Sequence, residues 1–121
     1  MGRIERFEEI EAWQEARLLV CTIYNLTRAP PVEADPNLRD QLRRAAVSIM
    51  ANIAEGFERR SDKELTQFLF NAGGSSAEVR SLLYLAMDQK YISADEFERA
   101  AALAEEVSKA LFGPIRYLQG R

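Results

Sequence analysis

Three helix-start signals partition this chain before any other feature is weighed. Asp35-Pro36 offers an N-cap carboxylate followed by a proline at the first helical position, where a missing amide costs nothing. Ser61-Asp62-Lys63-Glu64 and Ser93-Ala94-Asp95-Glu96 read as capping boxes, in which a hydroxyl and a carboxylate each satisfy an orphan amide. Between these signals apolar residues recur at steps of three and four. No stretch keeps a strict period of two with β-branched enrichment. Punctuation and period together predict helices over about residues 7–27, 36–57, 62–89 and 94–112. Gly113-Pro114 is expected to break or kink the last of these, leaving a final turn to about residue 119.

Each segment carries its own stripe. Phe7, Ile10, Trp13, Ala16, Val20 and Ile23 mark one face of the first helix, widened by Leu19 and Leu26. Leu42, Ala45, Ile49 and Ile53 do the same in the second. The third offers Leu65, Phe68, Leu69, Ala72, Ser76, Val79, Leu83 and Ala86, and the fourth Phe97, Ala100, Leu103, Val107 and Leu111. Residues 28–37 hold three of the four prolines and form a connector of ordinary bundle length. Short connections make successive helices antiparallel. The expected fold is all-α, an up-down-up-down antiparallel four-helix bundle filling residues 1–121 as one domain.

Composition removes several functions. With no histidine, imidazole acid–base catalysis, Ser-His and Cys-His pairs and the commonest zinc sites are excluded. Cys21 is the sole cysteine, so no internal disulfide forms, and a reducing cytoplasm is the expected setting. Met1-Gly2-Arg3 runs into charged residues without an apolar signal region, and Arg6 stands where a myristoylation signal has Ser or Thr. Apolar runs are too short for a membrane span, so no membrane partner is expected. Glu8 with Glu11, and Glu55 with Glu58, have the i,i+3 spacing of helix-borne metal carboxylates. Acidic helix faces of this kind are ordinarily solvated, so neither an enzyme nor a cofactor is expected.

The second helix is unusually apolar. From Ala45 to Ala54 only Ser48 and Asn52 are polar, and Ala46, Val47, Met50 and Ala54 lie off the core stripe. A helix apolar nearly all round is buried nearly all round, so a second chain is expected to cover it. The expected oligomer interface is Ala46, Val47, Ser48, Met50, Asn52, Ala54 and Glu55. A polar seam of Gln41, Arg44, Ser48, Asn52, Glu55 and Arg59 follows one side as a structural network, with Arg44 expected against Glu55 or a neighbouring subunit. In the third helix, Ala72-Gly73-Gly74-Ser75-Ser76-Ala77 is expected to mark a tight helix crossing. It matches no phosphate-loop spacing. Gly56 is expected near a helix end.

With a net charge of −3 the chain is no polyanion-binding module by bulk charge, so nucleic acid would need a local patch. Only residues 39–63 are net positive, at +2. Their cations cluster at the two ends of the second helix, residues 43 and 59 lying about 24 Å apart along its axis. Arg43, Arg44, Arg59, Arg60 and Lys63 are therefore the candidate nucleic-acid-binding residues, able to hold phosphate if repeated around an oligomer.

The string Gln41-Leu42-Arg43-Arg44-Ala45-Ala46-Val47-Ser48-Ile49-Met50-Ala51-Asn52-Ile53-Ala54-Glu55-Gly56 resembles the signature of the bacterial four-helix bundle proteins related to those encoded in intervening sequences of large-subunit ribosomal RNA genes. Phe7, Trp13, Ile23-Tyr24, Phe68-Leu69 and Ala72 through Glu78 extend the likeness over nearly the whole chain. The resemblance implies a ring-shaped homopentamer without enzyme activity. A similar protein, the accessory variability determinant of diversity-generating retroelements, binds a reverse transcriptase and RNA through a basic surface. Partners implied here are thus further copies of the chain and RNA or a reverse transcriptase. Where that family usually reads Ala-Arg-Gly-Ser, this chain has Ala72-Gly73-Gly74-Ser75 and so lacks one cation.

Overall fold

The computed structural model describes residues 4–120, so the reading of Met1-Gly2-Arg3 lies outside the described residues. Five α-helices follow one 3-10 turn, Phe7–Glu9: α1 (Glu11–Arg28), α2 (Pro30–Glu33), α3 (Pro36–Glu58), α4 (Asp62–Asp88) and α5 (Ala94–Gln119). No strand occurs among the described residues. The four long helices pack in the closed order α1, α3, α4, α5, with α1 diagonal to α4. Contacts across α3 and α4 step in opposite directions, Ser48 meeting Ser75 while Gly56 meets Phe68. That is the antiparallel arrangement the short connection between these helices requires.

The core follows the stripes. Leu19, Ile23, Leu42, Ile49, Ile53, Leu69, Val79, Leu83, Val107 and Leu111 are all but fully buried. Leu38, Ala46 and Gly56 join the α3 contribution.

Helix starts show how local chemistry divides the work. Asp35 caps α3 by accepting from the Leu38 amide at 3.2 Å. Its other carboxylate oxygen accepts from the Tyr91 hydroxyl at 3.1 Å, which ties the start of α3 to the α4–α5 turn. Ser93 and Glu96 form the complete box, with bonds of 3.1 and 2.8 Å. Ser61 makes only half of one. It accepts from the Glu64 amide, but the Glu64 carboxylate turns to Arg59 at 3.3 Å. An available guanidinium outbids a backbone amide for that carboxylate.

Several expectations change. The first helix begins at Glu11, because Ile10 is extended and breaks the run. Phe7 precedes that break and folds its ring edge-on to Trp13, with centroids 5.3 Å apart. The proline connector contains a single turn, α2, begun by Pro30 and anchored by buried Val32. Pro114 does not end α5, which continues to Gln119. Proline removes one helical bond, and the following turn is held by Ile115 and Leu118 packing on the core.

Gly56 lies two residues before the end of α3, and it takes over the close crossing expected of the small-residue run. A Cβ on Gly56 would lie 2.6 Å from the Phe68 Cβ, so the tight α3–α4 crossing is here, within the helix. Around Gly73 and Gly74 nothing lies within 4 Å of such a Cβ. Ala72 and Ser76 are the buried members of the small-residue run, and its glycines face outward. The two helix stops lie elsewhere, at Arg60 and Lys90, whose φ angles of 57° and 64° are left-handed.

Candidate interaction surfaces

The candidate cations fall into separate settings. Arg43 points to α1: its Nε donates to the buried Thr27 hydroxyl at 2.8 Å, and its guanidinium lies 4.6 Å from the Tyr24 ring centroid. It serves as a helix-packing residue. Arg44, next in sequence but about 100° further round the helix, is exposed on the α4 side, in a polar groove with Asn37, Gln41, Ser48, Ser75 and Glu78. It does not meet Glu55, which is eleven residues and about 16.5 Å along the same helix.

At the other end of α3, Arg59 bridges Glu55 at 3.1 Å and Glu64 at 3.3 Å, and lies over the Phe68 ring. Arg60 stacks on Phe57 and stands 3.9 Å from Glu58. Lys63 is exposed. The structure therefore gathers Arg59, Arg60 and Lys63 at the α3–α4 turn, interleaved with Glu55, Glu58, Asp62 and Glu64. A carboxylate for each cation leaves little net field for a polyanion. The same balance holds near the start of α3. There Arg39 donates to Asp40 at 2.9 Å, and that hydrogen bond holds the Asp40 carboxyl below the usual carboxylate range, with Arg44 and Arg43 adding to the effect.

The polar seam is satisfied within the chain. Ser48 bonds the Ser75 hydroxyl at 2.9 Å, and Asn52 donates to the Ser48 carbonyl and hydroxyl at 2.8 and 3.0 Å. A second link, Ser76 to the Ala104 carbonyl at 2.9 Å and to Ser108 at 3.0 Å, joins α4 to α5. No described side-chain polar atom that is buried lacks a partner.

The expected α3 interface shrinks in the same way. Ala46 is fully buried inside the chain and touches no free surface, because it packs within the helix bundle. Met50 and Ala54 are half-buried, and Met50 packs on the core. Val47, 41% exposed, is the one large apolar side chain α3 leaves open. The larger exposed apolar groups lie on other helices: Leu18, Phe70, Tyr84, Leu85, Phe112 and Tyr117. Phe70 and Phe112 flank a groove between α4 and α5 whose floor includes Gly73 and Gly74. These residues were legible as large apolar side chains off the core stripes. Among the described residues no three carboxylate or thiol groups converge to hold a metal ion.

The model of the 23S rRNA-intervening sequence protein family matches residues 8–113. The chain belongs to that family. Within residues 41–56, the small and polar residues have identified structural duties: Ala45 and Ala46 fill the core, Ser48 bonds α3 to α4 with Asn52 bracing it from one turn along α3, and Gly56 admits Phe68. One solved structure, a protein of unknown function from the S23 ribosomal protein family of Bacteroides thetaiotaomicron VPI-5482, matches with a TM-score of 0.78. It covers 86% of this chain and 97% of its own at 22% identity, a likeness of fold alone. No curated protein matches this family member. None of its described helices is long and apolar enough to cross a membrane.

Proposed function

We propose that this chain is a non-enzymatic helical scaffold that associates with copies of itself and works through protein contacts, in a cytoplasmic setting. The observation that carries this reading is the contrast between its open apolar side chains and its neutralised cations. Leu18, Phe70 and Phe112 are about half exposed, while Arg59, Arg60 and Arg39 each stand beside a carboxylate. Exposed apolar patches favour protein partners, and balanced charge gives little counterion release on nucleic acid. A ring of five copies is the assembly that the sequence resemblance implies. Light scattering at micromolar protein is expected to give a mass several times that of one chain. A single-chain mass at the highest soluble concentration would overturn self-association.

A second reading is an accessory protein that binds RNA, or a reverse transcriptase acting on RNA, through the α3–α4 turn. Its support is that Arg59, Arg60 and Lys63 are exposed and close in sequence, in a family whose description names ribosomal RNA. Such contacts would read backbone phosphate and weaken steeply with salt. Filter binding of RNA at low and moderate salt, with the parent and an Arg59→Ala, Arg60→Ala double variant, separates the readings. Salt-sensitive binding lost in the double variant supports RNA; no binding by the parent leaves the protein scaffold.

A further inference from the structure

We propose that the groove between α4 and α5 receives the outer face of α1 from a second copy of this chain, so that copies join head to tail. This rests on the self-association proposed above and assigns the two surfaces that make it. The groove has aromatic walls, Phe70 and Phe112, exposed by 49% and 56%. Gly73 and Gly74 give it an open floor, with no atom beyond the local helix backbone within 4 Å of where a Cβ would stand. A glycine inside a helix costs about 1 kcal/mol against alanine, and neither of these two admits a neighbour from its own chain.

The charge of the groove selects its occupant. No carboxylate lines it. Its charged edge is Arg116, stacked 4.6 Å from the Phe112 centroid. A fitting partner therefore has an apolar knob flanked by acids. The exposed side of α1 has this chemistry around Leu18, which is 56% exposed: half-exposed Glu15 lies one turn before it and Glu11 two turns before it, Arg17 is drawn over the Trp13 ring, and neither glutamate has an ion pair among the described residues. Leu18 supplies the knob, and Glu11 and Glu15 face Arg116. No residue of α1 lines the groove of its own chain, so within one chain this side of α1 leaves it unfilled. Two different surfaces meeting is a heterologous contact, which continues from copy to copy or closes into a ring.

Two variants block one surface each. Leu18→Glu places a charge on the knob, and Gly74→Leu fills the floor at a position with room for a side chain. Both sites are exposed, so helical content by circular dichroism is expected to stay that of the parent. By light scattering the parent is expected to be oligomeric and each variant a single chain. An equimolar mixture is expected to form a one-to-one dimer and stop there, since Leu18→Glu keeps its groove and Gly74→Leu keeps its knob. A parent that is a single chain would overturn both this proposal and self-association. An oligomeric parent whose variants still assemble, or a mixture that stays at single-chain mass, would overturn the head-to-tail pairing alone. Intact assembly by Gly74→Leu with weakened capture of a fluorescent single-stranded RNA would instead assign the groove to nucleic acid.

Discussion

Gly56 in α3 and the Gly73–Gly74 pair in α4 are the same residue type used against opposite constraints. Gly56 is buried under Phe68, where a Cβ would collide with a Cβ. A Cβ is fixed to its backbone and cannot swing aside, so the helices themselves would have to separate. Gly73 and Gly74 face open space and take no part in packing. A third case completes the comparison: Arg60 and Lys90 adopt the left-handed conformation that favours glycine, and neither is glycine. Glycine in this protein thus marks close approach at one site and an open surface at another, and is missing where the backbone would favour it.

Gly56→Ala should produce the largest effect, a loss of about 1–3 kcal/mol from overpacking, read as a lower urea midpoint. An unchanged midpoint would mean that α3 and α4 are less closely apposed at Phe68. Lys90→Gly should act in the other direction. It relieves a left-handed side chain at the end of α4 and should gain about 1 kcal/mol. The turn is otherwise well bonded, Lys90 to the Met87 carbonyl and Tyr91 to the Ala86 carbonyl, each at 2.9 Å. A midpoint that falls instead would place the dominant contribution in the lysine side chain.

Gly73→Ala and Gly74→Ala should each stabilise dilute, single-chain protein by about 0.5–1 kcal/mol, read as a higher urea midpoint, through helix propensity and a less flexible unfolded chain. The same substitutions should weaken association if the groove is occupied by α1. Stability and assembly moving in opposite directions would distinguish this pair from Gly56 most sharply.

The smallest expected effect is a pH dependence beside Lys90. The hydrogen bond to Asp35, with burial second, raises Tyr91 above the ordinary phenol range. The fold therefore favours the neutral phenol. This contribution is complete below the ordinary tyrosine pKa and disappears as pH rises through the raised folded value. Comparing parent and Tyr91→Phe at about pH 8 and in the alkaline range above about pH 10 should show the parent's small advantage shrinking at the higher pH. The same small difference at both pH values would rule out ionisation as its cause.

Much of the molecule was legible because local chemistry suffices for it. Asp35, Ser61 and Ser93 start helices through bonds to amides three residues away, and the stripes from Leu42 to Ile53 and from Leu69 to Ala86 name most of the core of α3 and α4. The surfaces were harder to read. Periodicity placed Arg43 and Arg44 together as cations, but one reaches Thr27 on α1 and the other the groove beside α4. It also left Ala46 off the core stripe, where the structure buries it completely.

The sequence by itself determined that this chain is helical, where three of its long helices begin, and that imidazole chemistry and an internal disulfide are closed to it, because caps, periods and composition act within a few residues or across the whole chain. Tertiary structure decided which glycine is a contact, which helix leaves apolar side chains open and which arginines are already engaged. Those outcomes depend on neighbours far away in sequence: Phe68 above Gly56, Thr27 beside Arg43, and α5 beside the open floor of α4. No local pattern carries the distance between two helices, and that distance is what separates a packed residue from a surface.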